Sequence, residues 1–188
     1  ALAATSRTDA NLVGLAEPVL AELSRITGQS SHLAVFSGDE PVIVTRVPGP
    51  GAFQMRESGG GVRPGHATAI GKVLLASLDA KSLEAYLTTH PLRALTERTI
   101  VERDRLLAEL ETVRRIGIAY DDAEYDPEVR CVAVPVRDFA GRTVAALGVS
   151  GPVWRLSLQA LQTVTGEVQD AARRLSAELG GRSPTAGG

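Results

Sequence analysis

The fold is decided by the stretch Gly117-Ile-Ala-Tyr-Asp-Asp-Ala-Glu-Tyr-Asp-Pro-Glu-Val-Arg-Cys-Val-Ala-Val-Pro-Val-Arg-Asp138. Apolar residues alternate from Cys131 onward, which predicts a strand with one buried face. The Asp126-Pro127 turn separates this strand from a shorter one, so the two are expected to pair antiparallel. The sheet of this protein is therefore expected to contain strands joined by tight turns.

Outward from this stretch, apolar residues recur with helical or strand periods. Helices are predicted over 9–27, from 67, after 79, from 99 and over 158–179, and further strands over 31–37, 42–47, 52–56 and 143–150. This order predicts an α+β fold with an antiparallel sheet. The two terminal helices each carry one apolar stripe, so both are expected on one sheet face, with the inserted helices and a pocket on the other.

Several local signals predict where the helices begin and end. Gly28 and Gly117 follow helical patterns and suit the left-handed position that closes a helix. Asp79 is expected to cap the helix that follows it. Thr99 and Glu102 have the spacing of a capping box, which predicts a helix that begins directly after Thr99.

Composition bounds the class of protein. The chain has 188 residues, a net charge of −2 and one cysteine. One domain is expected over 9–179, with 1–8 as a linker remnant and 180–188 as a flexible tail. The lack of a basic excess argues against nucleic-acid binding by this chain itself. A single cysteine and the absence of a signal peptide or membrane span predict a cytoplasmic location, and the alanine at position 1 indicates a processed chain or a fragment.

The residues before the second predicted helix suggest an anion site. The first amides of that helix, including those of Ala69 and Ile70, have no partner within the helix, and the helix dipole favours a carboxylate beside them. A plain helix start explains the same residues equally well. His66 lies just before this helix, and Lys72, within it, is expected to be solvated.

The acidic turn and the cysteine offer further candidates. Asp121 either points inward, where it accepts hydrogen bonds from a ligand or from the backbone, or belongs to a solvated turn with its acidic neighbours. Cys131 is either a buried small hydrophobe or a thiol that faces a ligand. A cysteine nucleophile would need His66 as its base, and a metal site would need His66, Asp121 and Cys131 without any close-spaced ligand pair. No phosphate loop, dinucleotide fingerprint or serine elbow is present, so no cofactor is expected.

Three motifs resemble those of IclR-type transcriptional regulators. They are the pocket-helix run His66-Ala-Thr-Ala-Ile-Gly-Lys72-Val-Leu-Leu-Ala76, the run Gly117-Ile-Ala-Tyr-Asp-Asp-Ala-Glu124 followed by Val129-Arg-Cys-Val-Ala-Val-Pro-Val136, and the last-strand run Leu147-Gly-Val-Ser-Gly-Pro152. The resemblance implies a GAF-like effector-binding domain, which in this family follows a winged helix-turn-helix DNA-binding domain that is absent here. It implies a non-enzymatic, oligomeric sensor, a homodimer or homotetramer, that binds a small organic acid or aromatic metabolite.

By position, the resemblance also implies a set of ligand-binding residues. They are Met55, Ala69, Ile70, Asp121, Val129, Cys131, Gly148 and Ser150, and we add Arg63 and His66 as candidates. Three positions depart from the family pattern, and one of them is Gly65, where a leucine-like residue is usual. Arg63 replaces a leucine-like residue and either reaches into the pocket to pair with an acid or lies in solvent. Gly148 stands where a serine is common, so one hydroxyl partner is expected to be missing. The alternative function is a cysteine- or metal-dependent enzyme that uses Cys131, His66 and Asp121.

Overall fold

The α+β architecture is the predicted one. The computed structural model describes residues 7–49 and 61–180. Its elements, in chain order, are α1 (Arg7–Thr27), β1 (Ser30–Ser37), β2 (Glu40–Val47), α2 (Ala69–Ala76), α3 (Ala80–Thr89), α4 (Arg103–Ile116), β3 (Ala119–Asp122), β4 (Val129–Arg137), β5 (Thr143–Pro152) and α5 (Leu158–Glu178). The strand predicted over 52–56 and the residue Met55 lie outside the described residues.

The five strands form one antiparallel sheet in the order β2-β1-β5-β4-β3. On one face, α1 and α5 pack on a core that includes Leu20, Val132 and Leu175. On the other face, α2 and α4 pack on a second core that includes Leu74 and Leu110. The prediction that both terminal helices share one face is therefore confirmed, and the opposite face is left to the inserted helices.

A β-bulge interrupts the pairing of β1 with β2. Leu33 lies opposite Thr45, whereas the next residue, Ala34, lies opposite Ile43. Val44 is therefore the extra residue, and the alternation of side chains along β2 changes phase at this point. After the gap in the described chain, Gly61 accepts a hydrogen bond from the Ile43 amide at 2.8 Å, which returns the chain to the edge of β2.

The predicted helix ends are confirmed at three positions and wrong at one. Gly28 and Gly117 have φ angles of +70° and +69°, and Asp79 caps α3 by accepting from the Ser82 amide. The capping box is wrong, because α4 begins at Arg103. The Thr99 hydroxyl instead donates to the Glu124 carbonyl at 2.6 Å and so fixes the preceding loop to the acidic turn.

Buried hydroxyl groups fasten α1 to the sheet. The Ser31 hydroxyl, at the start of β1, donates to the Leu20 carbonyl at 2.7 Å and lies 2.7 Å from the Ser24 hydroxyl. Both serines are buried, so these bonds form away from water. Among residues 7–49 and 61–180, no helix is long and apolar enough to cross a bilayer.

Candidate functional site

A small cavity lies on the face opposite the terminal helices, at the start of α2. Its volume is about 40 Å³, which is room for about three water-sized groups. The lining comes from all five strands, the start of α2 and the two loops before α2 and β4. The lining residues are His32, Ile43, Arg46, Arg63, Thr68, Ala69, Ile70, Asp121, Tyr125, Val129, Cys131 and Ser150.

Most of the residues predicted from the sequence line this cavity together. They are Arg63, Ala69, Ile70, Asp121, Val129, Cys131 and Ser150. His66 and Gly148 are not among the lining residues. The imidazole Nε2 of His66 lies 2.9 Å from the Arg93 carbonyl oxygen. This side chain therefore contacts the loop between α3 and α4 and not the cavity.

The start of α2 forms part of the cavity wall. Thr68 caps the helix, since its hydroxyl accepts from the Gly71 amide at 3.1 Å and donates to the Pro64 carbonyl at 2.8 Å. The amides of Ala69 and Ile70 belong to the first turn, where the helix itself supplies no acceptor. Because these two residues line the cavity, the positive end of the helix dipole is directed at it.

Two arginines form the basic side of the lining. Arg63 is only 6% exposed, and its guanidinium carbon lies 5.8 Å from the centre of the Tyr125 ring. The alternative that Arg63 lies in solvent is therefore wrong. Arg46 reaches the same cavity from β2. Burial, together with the charges of Arg46 and Arg63, lowers the pKa of His32 to about 3, so this imidazole is neutral and the positive charge belongs to the arginines.

The prediction that Lys72 is solvated is also wrong. Its side chain is 1% exposed, and its ammonium group donates to the Glu124 carboxylate at 2.6 Å and to the Tyr120 carbonyl at 2.9 Å. Glu109 lies farther away, at 3.4 Å. A buried ammonium group requires such partners because transfer from water is costly. Lys72 thus ties α2 to β3 and to the acidic turn.

Asp121 points inward and is 2% exposed. One carboxylate oxygen accepts from the Glu124 amide at 2.7 Å. Burial raises the pKa of Asp121 to about 7, and the negative charge of Glu124 adds to this, whereas the Glu124 amide and the Lys72 charge oppose it. The Asp121 carboxyl group therefore changes its charge near neutral pH, and it can donate as well as accept a hydrogen bond.

Cys131 and Ser150 extend the polar surface from Asp121 across three neighbouring strands. Asp121 pairs with Cys131 in the register of β3 and β4, and Cys131 pairs with Ser150 in that of β4 and β5. Burial, and then the nearby charge of Asp121, raise the pKa of the Cys131 thiol well above its usual value. The sulfur is therefore held as a neutral thiol, the opposite of what a cysteine nucleophile requires.

Gly148 lies beneath the His32 ring and has no room for a side chain. A Cβ atom at this position would lie 2.6 Å from the Val132 carbonyl oxygen and 3.1 Å from His32 Nε2. His32 and Gly148 are partners in the register of β1 and β5. The imidazole thus occupies the space above this glycine and supplies a polar group to the lining there.

Several lining residues were not predicted from the sequence. Ile43 and Arg46 differ by three positions, so strict alternation would place them on opposite faces; the bulge at Val44 brings both to the cavity. His32 lies between Ser31 and Leu33 in β1, and its even spacing with Ala34 is the one available signal. Thr68 could have been recognised as a cap from its position before α2, whereas Tyr125 offered no signal.

Comparison with known proteins places these features in a family. Residues 4–177 match the family described as Bacterial transcriptional regulator IclR C-terminal. The transcriptional regulator KdgR of Escherichia coli is 35% identical over 179 residues, which cover 95% of this chain and 68% of KdgR. The regulator XynR of the same organism is 38% identical over 161 residues, covering 86% of this chain and 64% of XynR.

Solved structures agree with the fold. The C-terminal domain of KdgR has a TM-score of 0.78 at 34% identity and covers 90% of this chain and 99% of that one. The inducer-binding domain of the transcription factor PobR from Acinetobacter, a double mutant in complex with 3-hydroxybenzoic acid, has a TM-score of 0.80 at 30% identity, covering 88% of this chain and 97% of that one. The chain spans only about two thirds of the length of the curated relatives it matches.

Proposed function

Because the chain belongs to the IclR family of bacterial transcriptional regulators, as the family's C-terminal effector-binding domain, we propose that the cavity beside α2 binds a small organic acid and that its occupancy regulates transcription. The domain is regulatory and not an enzyme, as its relatives are transcriptional regulators. The proposal that the ligand is an acid rests on this chain's own residues.

One observation carries the proposal: positive groups from separate elements converge on a single small cavity. Ala69 and Ile70 line it from the first turn of α2, where the amides have no acceptor within the helix, Arg63 from the loop before α2 and Arg46 from β2. A carboxylate beside these groups would accept charge-assisted hydrogen bonds, which are about twice as strong as neutral ones. Inducer binding by PobR, with 3-hydroxybenzoic acid, supports the same ligand chemistry.

The opposite side of the cavity would recognise the rest of the ligand. Asp121, Cys131 and Ser150 present a carboxyl group, a thiol and a hydroxyl group from adjacent strands. Such a row suits a hydroxyl or carbonyl group at the far end of an acid. The volume of about 40 Å³ favours an acid of only a few heavy atoms in this conformation. From the candidates implied by the resemblance, we therefore choose the small organic acid over the aromatic metabolite.

The proposed effector site does not include Met55, His66 or Gly148. Met55 lies outside the described residues and stays a prediction. We assign His66 a structural role, since its ring is bound to the Arg93 carbonyl, and Gly148 the role of making room for His32. The remaining predicted residues are those that line the cavity, and they constitute the proposed effector site.

We further propose that occupancy acts through assembly and DNA binding. The full-length protein would carry a winged helix-turn-helix domain before α1 and act as a homodimer or homotetramer in the cytoplasm. A ligand shifts such an equilibrium only by the difference between its affinities for the two states, typically about 1–3 kcal/mol. The domain limits 9–179, with a linker before and a tail after, belong to the same proposal.

Calorimetric titration tests the ligand class. Carboxylic acids of three to eight heavy atoms, with and without a hydroxyl or keto group, would be compared with their uncharged amides. We expect binding of acids at the small end of the series and none of the amides. Arg63→Leu is expected to weaken binding about tenfold or more, since hydrogen bonds to charged groups contribute about 1.5–3 kcal/mol.

Arg142→Leu is the matched control. Arg142 is exposed in the turn between β4 and β5, so the variant loses the same charge without altering the cavity. It is expected to bind as the unmodified protein does. Equal affinity for an acid and its amide, or equal losses in the two arginine variants, would contradict the assignment of an anionic ligand to this cavity.

A further inference from the structure

A second cluster of potential ligand groups lies outside the effector cavity, between the β1–β2 turn and the end of α3. Asp39 comes from the turn, Glu40 is the first residue of β2, and His90 is the C-terminal cap of α3. None of the three lines the cavity. Their donor atoms, two carboxylate oxygens and one imidazole nitrogen, all lie within 4.8 Å of one another.

The separations fit a shared ion. His90 Nε2 lies 3.0 Å from a Glu40 oxygen and 3.9 Å from an Asp39 oxygen. Ligands bound at about 2.1 Å from one metal ion are separated by about 2.9–3.4 Å, so small side-chain adjustments would bring all three into coordination. Side-chain exposures of 72% for Asp39 and 19% for His90 leave an open route to solvent on the carboxylate side.

The imidazole is already held in the orientation that coordination needs. Its other nitrogen, Nδ1, lies 2.9 Å from the Tyr86 carbonyl oxygen, and its ring stacks on the Tyr86 ring at 3.9 Å with an angle of 6°. A hydrogen bond from the second ring nitrogen to a backbone carbonyl is typical of metal-bound histidines, because it fixes the tautomer and the ring plane. The carboxylates are placed by a tight turn, with Gly38 at a φ of +64°.

The charges of these three side chains are balanced better with a bound divalent cation than without one. Two carboxylates face one imidazole, so a protonated ring balances one negative charge, whereas a divalent cation balances both. Mixed imidazole and carboxylate ligands suit ions such as Zn²⁺. We propose that Asp39, Glu40 and His90 bind a divalent first-row transition metal ion such as Zn²⁺, with water in the remaining positions, and that the ion fastens the β1–β2 turn to α3.

The proposed ion would lie next to the loop that contains Arg63. The Tyr86 hydroxyl, on the ring that stacks with His90, accepts a hydrogen bond from the Gly65 amide at 3.0 Å. The ion would therefore restrain the turn, α3 and, through Tyr86, the loop that precedes α2. Metal binding itself does not depend on the identity of any effector.

Titration of the untagged protein with Zn²⁺ by calorimetry tests the proposal, and the absorption spectrum with Co²⁺ as the probe reports the ligand set. We expect one Zn²⁺ per chain and a Co²⁺ spectrum distinct from that of the aqueous ion. Stoichiometric binding should be lost in His90→Ala and weakened in Glu40→Gln. Glu97→Gln is the control, because Glu97 is exposed and the variant makes the same charge change away from the cluster.

Each outcome bears on the assignment. Zn²⁺ affinity that is equal in the unmodified protein and in His90→Ala would overturn it, whether both bind or neither does. An equal loss in Glu40→Gln and Glu97→Gln would reduce the effect to general surface charge and would also overturn it. A rise in melting temperature with Zn²⁺ that disappears only in the His90 and Glu40 variants would support it, and circular dichroism would verify that both variants fold.

Discussion

Lys72→Met tests whether the buried ammonium group holds the acidic turn in place. Methionine keeps most of the side-chain volume but removes the charge and the donor. Glu124, whose side chain is 11% exposed, loses its 2.6 Å partner, and the Tyr120 carbonyl loses a 2.9 Å donor. Removing one member of a buried ion pair typically costs about 3–5 kcal/mol, because the remaining charge is left without compensation.

We expect the free energy of unfolding of Lys72→Met to fall by about 3 kcal/mol, at the low end of that range because Glu124 retains some contact with solvent. For a chain of this size the corresponding loss in melting temperature is roughly 10 °C. Urea denaturation followed by far-UV circular dichroism measures the first quantity, and a thermal scan measures the second. The double variant Lys72→Met/Glu124→Gln should lose less than the sum of the two single variants, since it removes both charges.

Arg25→Met is the matched control, because Arg25 also pairs with a glutamate, Glu22, but on the exposed surface of α1. Exposed pairs contribute little, so no measurable change is expected. A loss below about 1 kcal/mol in Lys72→Met, or additive losses in the double variant, would refute the reasoning that this pair is a buried and coupled one.

Three further predictions follow from the cavity and its surroundings. An acidic effector should bind more tightly at pH 6 than at pH 8, because burial raises the pKa of Asp121 to about 7 and the neutral carboxyl group at the lower pH no longer repels an anion. Calorimetry of Asp121→Asn should show no such dependence, and a dependence as steep as that of the unmodified protein would contradict this. The Cys131 thiol, whose pKa burial raises, should react with a disulfide reagent at pH 8 far more slowly in the folded protein than in urea, and equal rates would disprove its protection. Gly65→Ala should lower the free energy of unfolding, measured by urea denaturation, by about 1–3 kcal/mol, because its Cβ atom would lie 2.7 Å from the Tyr86 hydroxyl. The control Gly14→Ala should not be destabilising, because its Cβ atom would have no other atom within 4 Å.

The fold could be predicted because its signals are local. Gly28 and Gly117 close helices in the left-handed conformation, and Asp79 caps α3, each for reasons contained within a few residues. The distribution of helices over the two sheet faces also followed from single apolar stripes. The capping box at Thr99 was wrong because a tertiary partner, the Glu124 carbonyl, takes the hydroxyl that a local rule assigns to the helix.

The cavity was predictable only in part. The strand pairing that places Asp121 beside Cys131 follows from one tight turn, and the family resemblance supplied Ser150. The sequence predicts a solvated Lys72, because a lysine is rarely buried unless it is paired and its partner Glu124 is 52 residues away. Arg46 depends on the bulge in β2, which no pattern in the sequence marks.

Strand β1 connects the cavity on one face of the sheet with α1 on the other face. His32 belongs to the lining, whereas Ser31, the adjacent residue, is bonded to the Leu20 carbonyl of α1. Neighbouring side chains of a strand point to opposite sides of the sheet, so a single peptide unit separates the sensing surface from the helix that begins the domain. A displacement of β1 at His32 would therefore also displace Ser31 and its contact with α1. We expect hydrogen exchange at the amide of Ser24, whose hydroxyl lies 2.7 Å from that of Ser31, to respond to effector as strongly as amides at the cavity itself.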